Sequence, residues 1–149
     1  MGFWYLAHIA GFTLWVGGGA AAMLVGIRGK REDRAAQAFV VRLLTGIHRV
    51  LMLPGIVLTI LSGGYLSVPA SRAATGPSSW LMLMQITGVI AAILVLFVSL
   101  PALSRLSRIS PLGDTAPVFD GLRKRVATSG MVAGTLGLIA LISGVFHKY

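Results

Sequence analysis

Four stretches of this chain carry almost no charge, and each is long enough to cross a lipid bilayer. Residues 3–27, 80–102 and 126–146 contain no Lys, Arg, Asp or Glu, and residues 43–67 contain only Arg49. Roughly 18–20 apolar residues span the ~30 Å of bilayer hydrocarbon as a helix. Backbone N–H and C=O groups have no water to bond in lipid, so each stretch is expected to pair them internally as an α-helix. Composition agrees: 56% of the 149 residues are hydrophobic and 11% charged, against about 25% charged in soluble domains. Mean hydropathy is +0.85. The expected fold is all-α: a polytopic membrane protein whose single domain, 1–149, is a four-transmembrane-helix bundle (helices about 3–27, 43–67, 80–102 and 126–146). The first stretch lacks a basic leader and is too long for the apolar core of a signal peptide, so it reads as a retained helix.

Charge predicts the orientation. The net charge is +9, from 13 Lys and Arg against 4 Asp and Glu. Segments 28–42 and 103–125 hold Arg28, Lys30, Arg31, Arg34, Arg42, Arg105, Arg108, Arg123, Lys124 and Arg125, whereas loop 68–79 holds Arg72 and the tail Lys148. The bias of basic residues toward cytoplasmic loops therefore predicts N-out/C-out insertion in a bacterial inner (cytoplasmic) membrane. The same cations suit anionic lipids at the cytoplasmic face. No nucleic-acid-binding module is present to explain them otherwise. The run SPLGDTAP is expected to part an extension of the third helix from an interfacial stretch before the fourth. The absence of cysteine excludes disulfides, thiolate metal sites and thiol catalysis.

Small residues let membrane helices approach closely. Packing seams are expected along Gly130, Gly134, Gly137 and Gly144 of the last helix, Gly17 to Gly19 of the first, and Gly55 and Gly63-Gly64 of the second. Pro54 is expected to bend the second helix. An alternative use of these glycines is to clear room for a flat cofactor.

Polar side chains inside a span are costly and mark functional positions. Four stand out: His8, His48, Arg49 and Gln85. Trp15 shares a helical face with His8. The stripe His48, Met52, Gly55, Thr59, Ser62 and the stripe Gln85, Gly88, Ala92 are expected to face the bundle interior with it. His8 and His48 lie similar distances from opposite ends of their antiparallel helices, so their rings differ in height by about 20 Å. Two imidazoles on one metal need nitrogens about 4 Å apart, twice a bond of ~2 Å. The two histidines thus belong to separate candidate sites. The outer one joins His8 to Gln85, Ser62 and Met84; the inner one joins His48 to Arg49 and Met52. Imidazole and thioether ligands suit haem or Cu(I). Arg49 is placed to meet either a haem propionate or, by extending its stem, lipid phosphate. His147 sits in the C-terminal HKY and is set aside. All four acidic residues lie in the predicted cytoplasmic segments, and no phosphate loop, dinucleotide fingerprint or Ser-His-Asp set appears, so no catalytic residue is assigned.

The motifs L-A-H-I-x5-W-V-G-G (residues 6–18), R-L-L-x-G-I-x6-P-G-I-V-L-T-I-L-S-G (42–63) and W-L (80–81) resemble those of the HemJ-type membrane protoporphyrinogen oxidases and the related CopD-like copper-resistance membrane domains. The likeness covers about the first hundred residues. In the HemJ type the first-helix histidine is associated with b-haem, which carries over to His8. Met82 and Met84 stand where that family has histidine and lysine, so the resemblance carries over haem or metal binding and not the oxidase reaction. On the CopD side it implies copper held by His8, Met82 and Met84. The leading expectation is a b-haem protein of electron transfer or tetrapyrrole chemistry. The alternatives are copper handling, or a structural subunit of a larger respiratory or photosynthetic membrane complex, with other subunits or a second copy of the chain as partner.

Overall fold

The structure, a computed structural model, describes residues 2–71, 76 and 78–146; Arg72, His147, Lys148 and part of loop 68–79 lie outside these. Six α-helices are present among the described residues: α1 (Gly2–Gly29), α2 (Arg34–Ile47), α3 (Leu53–Ser71), α4 (Ser79–Leu94), α5 (Leu100–Leu106) and α6 (Ala116–Phe146). Two π-helical turns, His48–Met52 and Val95–Ser99, join α2 to α3 and α4 to α5. The result is four long rods, each long and apolar enough to cross a membrane, and no strand occurs among the described residues.

Local chemistry sets the ends of these rods. Asp33 starts α2 by accepting the Ala36 amide at 2.7 Å, and Ser78 starts α4 by accepting that of Leu81 at 3.3 Å. Both are N-caps that satisfy an otherwise unpaired first-turn donor. Gly113, at φ +68°, opens a short 3-10 turn (Gly113–Thr115) that feeds directly into α6. Each π turn precedes a Leu-Pro pair, Leu53-Pro54 and Leu100-Pro101. Proline supplies no N–H and its ring collides with the carbonyl four residues back. The helix answers by widening: the amides of Leu53 and Leu100 bond the carbonyls of His48 and Val95, five residues back.

The rods run past the expected boundaries at one end. The segments read as loops 28–42 and 103–125 are largely helical, α2 beginning at Arg34 and α6 at Ala116. The interfacial stretch expected before the last span is simply the start of α6. Charge there suggests loop, but α2 is amphipathic. It lays Val41 and Leu44 on Leu103, Leu106 and Phe119 while Arg34 and Arg42 stay exposed.

α1 packs along α3 and α4 along α6. Gly11, Gly18 and Gly55 make the first contact possible: a Cβ on Gly55 would stand 2.6 Å from the Trp15 amide nitrogen, and one on Gly11 2.8 Å from that of Thr59. The space above Gly11 and Gly55 is filled largely by opposing backbone and that above Gly18 by the side chains of Met52 and Leu51, so these glycines serve helix packing. The expected glycine seam on the last helix holds at Gly137, which is buried, and at Gly144, which meets Met84, and is displaced elsewhere. Gly130 and Gly134 are exposed, and the buried line is Ser129, Ala133, Gly137, Ala140 and Ser143. Small Ser and Ala side chains fill that role as well as glycine does.

Two apolar clusters occupy the interior, one around Trp15, Met52, Ile56, Ala91 and Val95, the other around Val41, Leu44, Leu103 and Phe119. By sequence position His48, Ser99 and Ser129 fall between them, and all three are buried. Ser129 donates to the Arg125 carbonyl at 2.8 Å, so Ser99 is the donor in the 2.8 Å bond joining the two hydroxyls.

All the described charged residues except Arg49, which sits in the first π turn, gather at the end formed by the C-termini of α1 and α5 and the N-termini of α2 and α6. There Arg34 grips Asp120 through two bonds of 2.8 and 3.0 Å, and this hydrogen-bonded guanidinium holds the Asp120 carboxyl below its ordinary range. Buried Gln37 accepts from Arg123 at 3.1 Å and donates to the Glu32 carbonyl at 3.0 Å. The opposite end carries aromatics instead: Trp4 stacks on Tyr65 at 4.6 Å and Trp80 lies 5.3 Å from Phe146.

Candidate functional site at His8

Two of the three faces expected to point inward do so; on the third, only Ala92 is buried while Gln85 and Gly88 are half-buried, and the buried residues of α4 are Leu81, Thr87, Ala91 and Ala92. His48, Met52, Gly55, Thr59 and Ser62 are all buried, as are Gly11, Trp15 and Gly18 on α1. His8 is half-buried on the same α1 stripe, one step beyond Gly11.

Its ring is tied to α3. Nδ1 lies 3.1 Å from the Thr59 carbonyl and 3.2 Å from Ser62 Oγ. A carbonyl only accepts, so Nδ1 carries the proton. Ser62 already donates its own proton to the Leu58 carbonyl, which leaves its oxygen free to accept from His8. The tautomer is therefore assigned by the hydrogen bonds: Nδ1–H is held at both acceptors, and Nε2 keeps its lone pair; since no buried side-chain nitrogen among the described residues lacks a partner, Nε2 lies at the accessible edge of the ring. Gly63 leaves the space the ring needs, since a Cβ there would come within 2.9 Å of His8 Cε1. Histidines that ligate metals typically donate their second ring nitrogen to a carbonyl or carboxylate in this way.

The other candidates occupy separate places. Gln85 Nε2 donates to Ser67 Oγ at 2.7 Å, and Ser67 in turn donates to the Gly63 carbonyl at 2.7 Å. Gln85 thus ties α4 to α3 beside the His8 site rather than bonding the imidazole. Met84 rests its sulfur against Gly144 of α6, where an added Cβ would lie 3.0 Å away. Trp15 is 6% exposed and packs in the first apolar cluster with Met52. His48 is 5% exposed and bonds the Leu44 carbonyl of its own helix through Nδ1 at 2.9 Å. Arg49, its neighbour, is exposed and makes no ion pair among the described residues. The inner pair is therefore split, one side chain facing in and the other out. Thr59 and Ser62 follow His48 by about 17–21 Å of continuous helix, so His8 and His48 stand far apart, as the depth calculation predicted.

Among the described residues, no group of three or more His, Cys, Asp or Glu side chains is placed to hold a metal ion. Sequence reasoning passed over Thr59 as the acceptor of the His8 proton and over the Ser99–Ser129 bond. It also missed the aromatic end formed by Trp4, Tyr65, Trp80 and Phe146. Spacing carried a signal for the last two, hydroxyls at matched depth in apolar runs and aromatics at the same end of every rod, but none for Thr59, whose acceptor is its main-chain carbonyl. No family model, curated protein or solved structure matches the chain.

Proposed function

We propose that this chain is a multi-pass protein of a bacterial cytoplasmic membrane that holds one b-type haem through Nε2 of His8 and serves electron transfer or tetrapyrrole chemistry. Membrane insertion is supported by the four apolar rods, their exposed Leu, Ile, Val and Phe side chains and the contrast between a basic and an aromatic end. Aromatic rings belong at membrane interfaces and cations at the cytoplasmic face, which supports termini on the outer side. From Phe3 to Arg28 is about 37 Å of helix, and from Trp80 to Arg105 the same, enough to cross the hydrocarbon with both kinds of residue at its borders.

The single observation behind the haem reading is the fixed tautomer of His8, with its proton given to Thr59 and Ser62 and its second nitrogen left bare. A haem iron accepts one histidine as its protein ligand, and His48 is too distant to be a second. Bound haem would supply one-electron chemistry; this chain's own contribution is to present the lone pair and to lock the ring. The resemblance to HemJ-type proteins implies the same residue. Copper is less well served, because Met84 packs on the α4–α6 seam rather than beside His8.

The test is an absorption spectrum of the full chain purified in mild detergent. A Soret band that disappears in His8→Ala and persists in His48→Ala is the expected result, with both variants eluting as folded protein. A colourless parent, or a band indifferent to His8, refutes the haem reading; copper in elemental analysis would point to the CopD-like alternative, and colourless protein that remains with other membrane subunits to a structural role.

A further inference from the structure

The seam between α4–α5 and α6 opens at the surface into two adjoining hollows of about 190 and 510 Å³ that share Val98 and Arg125. Arg105 and Arg125 border the first, and Lys124 joins Arg125 at the second. Leu94 and Val132 line the far end of the second. From Arg105 to Leu94 the groove descends about 16 Å along the third rod, cationic at one end and apolar at the other. Gly121 adds no side chain to its wall, and nothing stands within 4 Å of where its Cβ would be. Arg105, Lys124 and Arg125 make no ion pair among the described residues, because the nearby carboxylate, Asp120, is already engaged by Arg34 and Arg123.

Unpaired cations above an apolar trough match one kind of molecule, an amphiphile with an anionic head. From the groove's charge and shape we infer that it binds one anionic phospholipid, the phosphate meeting Arg105, Lys124 and Arg125 and an acyl chain lying along Val98, Leu94 and Val132. This rests on the membrane reading above and is independent of His8. The site differs from a diffuse attraction between a basic surface and a membrane because it is local: Arg28 at the end of α1 and Lys30 and Arg31 just beyond it are also exposed and lie outside it.

The test uses the full chain in neutral detergent, native mass spectrometry, and titration with phosphatidylglycerol or phosphatidylcholine. One phosphatidylglycerol should be retained and phosphatidylcholine should not. Replacing Arg105, Lys124 and Arg125 with Gln should weaken retention on the order of 100-fold, roughly fivefold per cation. The corresponding change of Arg28, Lys30 and Arg31 to Gln should leave it within about twofold of the parent. Arg105→Lys with Arg125→Lys keeps the charge and should restore most of the binding, which separates loss of the site from loss of the fold. Val98→Trp fills the trough and should weaken binding with the cations intact. Equal losses in the two triple variants, retention of phosphatidylcholine, or displacement by inorganic phosphate would each overturn the site. Membrane pellets washed with alkaline carbonate keep the two readings apart: a chain that stays in the pellet yet binds no phosphatidylglycerol refutes the lipid site alone, and a chain that is released refutes membrane insertion.

Discussion

Gly55→Ala tests the α1–α3 contact on which the His8 geometry depends. The new methyl would sit 2.6 Å from the Trp15 nitrogen, 2.7 Å from the Gly11 oxygen and 3.1 Å from Leu14 Cβ, against 3.4 Å for ordinary contact. Two of these neighbours are backbone atoms of a continuous helix and cannot rotate aside, so α1 must retreat by about 0.8 Å. A gap of 0.5–1 Å forfeits about a quarter to a half of the dispersion energy of each contact it opens, and Gly11 and Gly18 would lose their close fit to α3 together. Overpacking costs about 1–3 kcal/mol, offset by up to about 1 kcal/mol from the better helix propensity of alanine. With the full offset the expected net loss is about 0–2 kcal/mol. The matched control is Gly64→Ala on the same helix, where nothing lies within 4 Å, so only the propensity gain applies. Reversible unfolding of both variants in mixed micelles, followed by tryptophan fluorescence, measures the difference. If Gly55→Ala proves as stable as Gly64→Ala, the two helices do not meet through these glycines and the placement of His8 against Thr59 falls with them. The same retreat would stretch the 3.1 Å His8–Thr59 bond beyond useful length, so any chromophore held by His8 should be weakened in parallel.

Other substitutions probe other parts. Gln85→Leu removes the 2.7 Å tie to Ser67 and should cost about 1 kcal/mol, the usual net worth of one hydrogen bond, in the same unfolding assay. Ser99→Ala should cost a similar ~1 kcal/mol, whereas Ser99→Leu forces a larger side chain into a fully buried position and should cost about 1–3 kcal/mol or more. Asp120→Asn breaks the Arg34 pair. Because the folded-state pKa of Asp120 is depressed, the pair's contribution is present above the ordinary carboxylate pKa of about 3.9 and is lost as pH falls through the lower folded value. The variant should therefore be less stable than the parent at neutral pH and should converge with it in acid; a difference independent of pH would refute the assignment.

Much of this architecture was legible in the residues because lipid-length apolar runs have few alternatives. The buried line from His48 through Met52, Gly55 and Thr59 to Ser62 follows from helical spacing alone. The helix ends were less readable. Arg34, Arg42 and Lys124 look like loop residues in an apolar chain, yet a helix that leaves the hydrocarbon simply turns such residues to water. Glycines mark close approach only where an opposing backbone meets them, and sequence cannot show whether Gly130 or its neighbour Ser129 faces that backbone. The His8 site was half legible. Its depth and the nearness of Ser62 followed from antiparallel pairing, but the acceptor at Thr59 is a main-chain carbonyl, which no residue type announces. Met84 and Gln85 share the depth of His8 and still point to Gly144 and Ser67, because depth says nothing about direction around a helix.

The two widened turns have a further consequence. Pro54 and Pro101 bring no amide, so at each the backbone has more oxygens to satisfy than N–H groups to satisfy them. Hydrocarbon offers nothing in their place. Arg49 lies within the first turn, and Arg105 follows Pro101 by about one helical turn; Val50 and Phe97, inside the turns, are 69% and 71% exposed. The two sites stand at different heights: Pro54 adjoins Gly55, which meets Trp15 midway along α1, so its oxygens lie deep in the hydrocarbon and must be met from within the bundle, whereas Pro101 lies beside Arg105, Leu122 and Arg125 at the basic end, within reach of water and lipid headgroups. Only the start of α2 and the first turns of α6 then project past the basic face, as a short rigid collar.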